Sequence, residues 1–435
     1  MHTADMAKLI INFEKPIPFP FLWGGFTRIN FRAMKKLIFI QSMVKYKQSF
    51  WLLFFLLGQF TLNAQIPGAN KLDQYLPMLK NKRVALVVNQ TSMIGNEHLV
   101  DVLKNKKVKI QFIFAPEHGF RGDHSAGANV LSSLDPATKL PVYSLYGANK
   151  KPSADQLAKV DIVVFDIQDV GARFYTFIST LHYVMEACAE QKKPLLILDR
   201  PNPNGFYIDG PILDTAFRSF VGMHPVPVVH GNTIGEYALM INGEGWLKNH
   251  VKCDLKIIKV QNYTHLSLYT LPVKPSPNLP NMSSVLLYPS LCFFEGTNYS
   301  LGRGTETPFE CVGKPGCSIG NYSFTPKNIP GVAENPPFVN QECKGFFLRE
   351  YGTNLAPYQY KLNLFWLLEL YKNDKDKTSF FTPFFDKLAG TDLLRKQIME
   401  GKSEDEIRNS WQAGIKKYRN MRLKYILYAE LNSSR

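Results

Sequence analysis

The sequence predicts an α/β fold built on a doubly wound, mostly parallel sheet, on three observations. First, short apolar runs recur at Val84–Val88, Ile110–Phe114, Val142–Leu145, Asp161–Phe165 and Leu195–Leu198. Such runs read as strands buried on both faces, the habit of parallel sheets. Second, helix-like segments separate them, from about 89 to 106 and from about Phe174 to Gln191, and strands alternating with helices are what parallel crossovers require. Third, polar loops marked by Gly or Pro follow three of the strands: Ala115–His124, Asp166–Arg173 and Asp199–Gly205. In open α/β sheets ligands bind beyond the carboxyl ends of the strands, so these three loops should converge on one site.

The elements follow in chain order. Residues 51–57 are Trp-Leu-Leu-Phe-Phe-Leu-Leu, preceded by Lys45 and Lys47 and followed by Leu62-Asn63-Ala64-Gln65. A basic region, a short apolar core and a small residue before Gln65 describe a secretory leader. It is placed at 34–64, with 1–33 as an extension from a misassigned start. No later run reaches the roughly 20 apolar residues of a membrane-spanning helix, so no stable membrane insertion is expected once the leader is gone. The protein is expected to be exported to the periplasm, or alternatively to lie outside the cell or on its envelope. After the five strands, Val226–His230 leads into Thr233-Ile-Gly-Glu236 and an apolar helix to about Ile241. Thr233 and Glu236 have capping-box spacing. Four prolines within 271–281 forbid a regular element there. The boundary follows, dividing a catalytic domain at 65–288 from a second domain at 289–435. The tail has helical segments around 363–372 and 403–418.

Composition bounds the function. The 435 residues suit two domains or one large one, and 45% hydrophobic with 20% charged residues is ordinary for a globular chain. The formal charge is +15; residues 1–64 hold eight Lys/Arg against Asp5 and Glu14, which leaves +9 for the rest. A moderately basic body suits an anionic polymer. Nucleic acid is not the expected partner, because no Lys/Arg run interleaves with aromatics and no finger or RNP-like motif occurs. The six cysteines match no zinc spacing. Export permits disulfides, with Cys311 and Cys317 the nearest pair, but buried thiols are the simpler expectation.

Dinucleotide, P-loop, zincin and α/β-hydrolase signatures are missing. What remains is loop carboxylates. Glycosidic cleavage needs an acid to protonate the leaving oxygen and a second group at the anomeric carbon. Glu117, after Pro116 at a strand end, fits the first role. Asp166 and Asp169 on a neighbouring loop fit the second, or orient a substrate acetamide. Glu117 could instead cap its loop, and the two aspartates could serve Asx turns. His118 could shuttle a proton; with Glu117, Asp123 and His124 it could hold a metal, although the spacing matches no common site. Arg173 and Arg303, near glycines, suit bidentate capture of a carboxylate such as the lactyl group of N-acetylmuramic acid, or pair with nearby acids.

Taken together, these loops resemble those of the exo-β-N-acetylmuramidases named NamZ, a family once catalogued only as a domain of unknown function. The resemblance rests on Ala115-Pro-Glu-His-Gly119, on Phe165-Asp-Ile-Gln-Asp-Val-Gly171 with Arg173-Phe-Tyr-Thr176, and on Leu198-Asp-Arg-Pro-Asn-Pro-Asn-Gly205. It continues through His230-Gly231, Pro275-Ser-Pro-Asn278, Tyr288-Pro289, Glu295-Gly-Thr-Asn298, Gly302-Arg-Gly-Thr305 and Pro308-Phe309. Each piece alone is weak; their order over about 82–310 is specific. Leu279 stands where the family pattern has Met, and the Cys311–Cys317 segment is local to this chain.

The resemblance implies a Rossmann-like N-terminal domain, a smaller C-terminal α+β domain and an active site in the cleft between them. It also implies release of N-acetylmuramic acid from non-reducing ends of peptidoglycan fragments, without a cofactor or metal. Glu117 carries over as the catalytic residue. Tyr175, Asp199, Arg200, Asn202, His230, Glu295, Asn298 and Glu306 carry over as lining the substrate site, with Arg173 and Arg303. Two other readings stay open at this point: a metal-dependent hydrolase using the Glu117/His118/Asp123/His124 loop, and a non-catalytic protein that binds cell-wall saccharides.

Overall fold

Seven strands form the central sheet, and six of them run parallel. The computed structural model describes residues 64–117, 119–120 and 133–430. The extension at 1–33, the leader up to residue 63, and His118, Asp123 and His124 lie outside the described residues. The strands are β1 (Arg83–Val88), β4 (Lys109–Ala115), β6 (Pro141–Ser144), β7 (Ile162–Asp166), β8 (Leu195–Leu198) and β9 (Leu255–Ile258), with β5 (Ser133–Leu134) antiparallel at one edge. Two short strands, β2 (Met93–Ile94) and β3 (Glu97–His98), pair separately as a hairpin. The sheet order is β5-β6-β4-β1-β7-β8-β9. Counting only the parallel strands along the chain, this is the 3-2-1-4-5-6 order of the Rossmann fold, with its switch point between β1 and β7.

The apolar runs do what their composition requires. Along β1, Val84, Leu86 and Val88 enter one core while Ala85 and Val87 enter the other, the two-residue alternation of a strand covered on both faces. All five expected strands form. The sixth, β9, is half-exposed; its Leu-Lys-Ile-Ile is too short and mixed to stand out in the sequence. The stretch 89–106 is less helical than expected: the β2–β3 hairpin occupies its first half, and a helix spans only Leu99–Asn105. The helix Phe177–Glu190 follows β7, and Thr233 caps the helix Ile234–Gly243 through a full capping box with Glu236.

The C-terminal part is smaller. It has an antiparallel sheet of β10 (Cys311–Lys314), β12 (Cys343–Phe347) and β11 (Tyr322–Phe324), with helices that include Phe365–Asn373 and Glu404–Arg422 where the sequence places them. The helix Met282–Leu291 spans the boundary drawn at residue 288. One apolar core runs from Val163 and Phe165 under the sheet to Trp366, Phe385 and Trp411, so the C-terminal part extends the core of the sheet. Polar bonds reinforce the joint. Asp209 accepts from the Trp411 indole at 2.9 Å and pairs with Arg408, and Tyr418 donates to the His230 carbonyl at 2.7 Å. All six cysteines are buried free thiols. Among the described residues, no helix is long and apolar enough to cross a membrane.

Candidate active site

A cavity of about 610 Å³ opens off the carboxyl ends of β4, β6 and β7, roofed by residues 276–309 and 332–337. Glu117 reaches it because β4 ends at Ala115 and the chain turns at once, the Gly119 N–H donating to the Pro116 carbonyl at 3.0 Å. The Thr176 hydroxyl donates to Glu117 Oε2 at 2.6 Å. Thr176 stands at the N-cap of the helix Phe177–Glu190 but makes no capping bond with its side chain; its hydroxyl serves the carboxylate instead. Tyr146, from the loop after β6, also lines the wall. Burial pushes its phenol well above the usual range, helped by the charge of Glu117, a hydrogen bond to it, and the charge of Glu295. One phenol therefore senses both carboxylates.

Glu295 is a further acid on the wall, which the exposed Glu334 also lines. Its Oε1 accepts from both Nε (3.0 Å) and Nη2 of Arg303, whose guanidinium lies over the Phe309 ring. Burial works to lower the Arg303 pKa, but the adjoining Glu295 turns the net shift upward. The ion pair weighed as the simpler role for Arg303 is therefore present. Tyr175 also lines the cavity and donates to the Pro275 carbonyl at 2.9 Å. Of the residues singled out in the sequence, Glu117, Tyr175, Glu295 and Arg303 meet here.

The others lie elsewhere. Asp166 was expected to supply the second carboxylate. It is fully buried at the end of β7 and binds Arg200 through Nε (2.6 Å) and Nη2 (2.9 Å). This pair, with Thr91 donating to Asn89 and Ser92 to the Asp166 carbonyl, fills the crevice at the switch point between β1 and β7. Arg173 is also fully buried. Its two terminal nitrogens donate to the carbonyls of Pro211, Val226, Leu388 and Ala389, so it ties the C-terminal part to the sheet and offers nothing to a ligand carboxylate. Asp199 accepts from Tyr428 (2.6 Å), Thr233 (2.7 Å) and the Gly235 N–H (2.8 Å); burial still pushes its carboxyl up to about 6. Asn202 bonds the Asn232 carbonyl and packs on Gly171, whose φ is +79° and where a Cβ would sit 2.2 Å from the amide oxygen. That position demands glycine. The Asp-Val-Gly and Pro-Asn motifs are thus a structural interlock. His230 is buried, Asn298 bonds Ser379 at 3.1 Å, and Glu306 is exposed beyond the cavity.

Asp169 makes the Asx turn weighed as its simpler role, accepting from the Gly171 N–H at 2.6 Å. Its Oδ2 lies 3.9 Å from His230 Nε2. Burial pushes its carboxyl up to about 7 against backbone donors that pull it down, and burial takes His230 down to about 3, helped by Arg422 and Arg173. The folded protein thus keeps a proton on Asp169 up to about 7, whereas the unfolded chain releases it near 3.8. Between these values the folded state binds more protons, so this group's contribution to stability falls as pH rises. Asp169→Asn cannot ionise. Its stability relative to the parent should improve from about pH 4.5 to about pH 7.5, read as urea midpoints at each pH. A difference that does not move with pH would rule this out.

Reading by sequence missed Thr176, Tyr146, Lys150, Phe220 and Tyr288 as lining residues. Thr176 and Tyr288 stand inside recognised motifs, which is the signal that could have found them. Tyr146, Lys150 and Phe220 carry no such mark. Among the described residues no cluster of His, Cys, Asp and Glu could hold a metal ion; the loop with His118, Asp123 and His124 lies outside them.

Comparison with known proteins places this geometry in context. Residues 84–283 match the family described as "Exo-beta-N-acetylmuramidase NamZ, N-terminal", and residues 286–428 match "Exo-beta-N-acetylmuramidase NamZ, C-terminal". The "Peptidoglycan beta-N-acetylmuramidase NamZ" of Bacillus subtilis (strain 168) is 40% identical over 378 residues, 82% of this chain and 89% of that protein. Two crystal structures of DUF1343 family proteins from Bacteroides fragilis NCTC 9343 share the fold. One has a TM-score of 0.78 and 47% identity, covering 85% of this chain and 100% of the other. The second has a TM-score of 0.67 and 28% identity, covering 84% and 99%.

Proposed function

The chain belongs to the exo-β-N-acetylmuramidase NamZ family, and from that premise we propose that it hydrolyses N-acetylmuramic acid from the non-reducing ends of peptidoglycan fragments. The observation that carries the proposal is the meeting of Glu117 and Glu295 on one cavity wall. Glu117 is the general acid. It is anchored by Thr176, with Tyr146 beside it, and protonates the oxygen that leaves with the rest of the glycan. Glu295, held by Arg303, takes the role first assigned to the β7 loop. It faces the anomeric side, where a carboxylate stabilises the positive charge of the transition state or orients the substrate's acetamide. Tyr175, Tyr288 and Phe309 supply apolar surface on which a sugar ring can rest.

The direct test is incubation with the disaccharide of N-acetylmuramic acid β-linked to N-acetylglucosamine, with products identified by mass. Release of free N-acetylmuramic acid is expected, and on longer chains only from the terminal unit. Binding without turnover would sink the proposal. We place the activity outside the cytoplasm, on the leader pattern Lys45–Ala64; full-length protein held in the cytosol would overturn that placement.

A further inference from the structure

We propose that Lys150 recognises the lactyl carboxylate of the terminal muramic acid and is thereby the residue that separates this sugar from N-acetylglucosamine. The proposal rests on the glycosidase reading above. It names a residue that the sequence motifs do not contain, in place of the two arginines first considered.

The argument is one of available charge. Among the described residues, two cationic side chains line the cavity, Arg303 and Lys150. Arg303 is committed: Nε and Nη2 both donate to Glu295. Arg173 does not reach the cavity and spends its terminal nitrogens on backbone carbonyls. Lys151, the next residue, turns away, its ammonium 2.7 Å from Glu186 and 2.8 Å from Glu190. Lys150 has no carboxylate at ion-pair distance among the described residues. Its ammonium lies 4.9 Å from the centroid of Phe220, itself on the cavity wall. An aromatic face holds a cation in place without neutralising it. Among the described residues, the wall thus presents one positive charge that is positioned and still open to an anion.

Its position suits the reacting sugar. Tyr146, four residues earlier, lies close enough to Glu117 for that carboxylate to raise its pKa, and packs on Phe220 with ring centroids 6.0 Å apart. One pair of rings therefore links the ammonium to the acid, so a sugar seated with its glycosidic oxygen at Glu117 brings its substituents to the Lys150 side. The lactyl group is the substituent that carries charge, whereas plain N-acetylglucosamine offers the ammonium only neutral hydroxyl and carbonyl oxygens.

The test uses nitrophenyl β-N-acetylmuramide and the same glycoside with its lactyl carboxylate blocked as the methyl ester. The parent enzyme should prefer the free acid. Lys150→Met should lose about ten- to hundred-fold in kcat/KM on the acid, the range of one charged hydrogen bond, with little change on the ester, so that the preference disappears. Lys150→Arg should keep most of the preference, which separates loss of charge from loss of fold. A Lys150→Met enzyme that still prefers the acid, or a parent that never did, overturns the inference while leaving the glycosidase reading intact. A parent that turns over neither glycoside fails that reading as well.

Discussion

Glu117→Gln should fold as the parent does and hydrolyse the natural disaccharide about 10²–10⁴ times more slowly, the usual share of general acid catalysis. Glutamine keeps the shape and can still accept from the Thr176 hydroxyl, which holds Oε2 at 2.6 Å in the parent. What it lacks is a proton for the leaving oxygen. The loss should therefore depend on the leaving group. A nitrophenolate departs with little protonation, so the variant should be much less impaired on the nitrophenyl glycoside. Equal losses on both substrates would make Glu117 the nucleophile or an orienting group. No loss on either would move the acid to Glu295 or Glu334, the other carboxylates among the described wall residues.

The second large effect is on stability. Asp166→Ala should cost about 3–5 kcal/mol, because it strips the partner from a buried guanidinium and leaves the charge uncompensated. Asp166 is fully buried and Arg200 3% exposed; besides the two bonds to Asp166, the Arg200 guanidinium keeps, among the described residues, only a 3.2 Å contact to the Met93 carbonyl. The denaturant midpoint should fall accordingly, while activity per folded molecule changes little. Replacing both partners with apolar residues of similar volume, Asp166→Leu with Arg200→Met, should recover most of the loss, since burying an ion pair is itself costly. An Asp166→Ala protein of normal stability but without activity would restore Asp166 to the chemistry.

These two acids show how far local sequence reaches. Both follow apolar strands, both sit in motifs shared with the family, and both were reasonable catalysts on that ground. Glu117 lies one residue past Pro116 and turns into the cavity, whereas Asp166 is the last residue of its own strand and turns under it. The same contrast separates Arg303 from Arg173. Motifs record that a residue type is required at a position. They do not say whether the requirement comes from a ligand or from the fold, and in Asp199, Asn202 and Gly171 it comes from the fold.

The sequence by itself determined the parallel sheet and the five strands that stood out. The reason is that burial on both faces forces continuous apolar runs, a signal local to each segment. It also determined that a glutamate stands at the end of β4. Only the tertiary structure decided which carboxylates meet. Glu117 and Glu295 are separated by more than 170 residues, and their approach depends on a core that runs unbroken from the sheet into the C-terminal helices. Likewise, nothing near Lys150 in the chain says that Arg303 is already neutralised by Glu295 or that Phe220 waits beneath the ammonium. Whether a charge is open to a ligand depends on its neighbours in space, and those are set by packing between segments far apart in the chain.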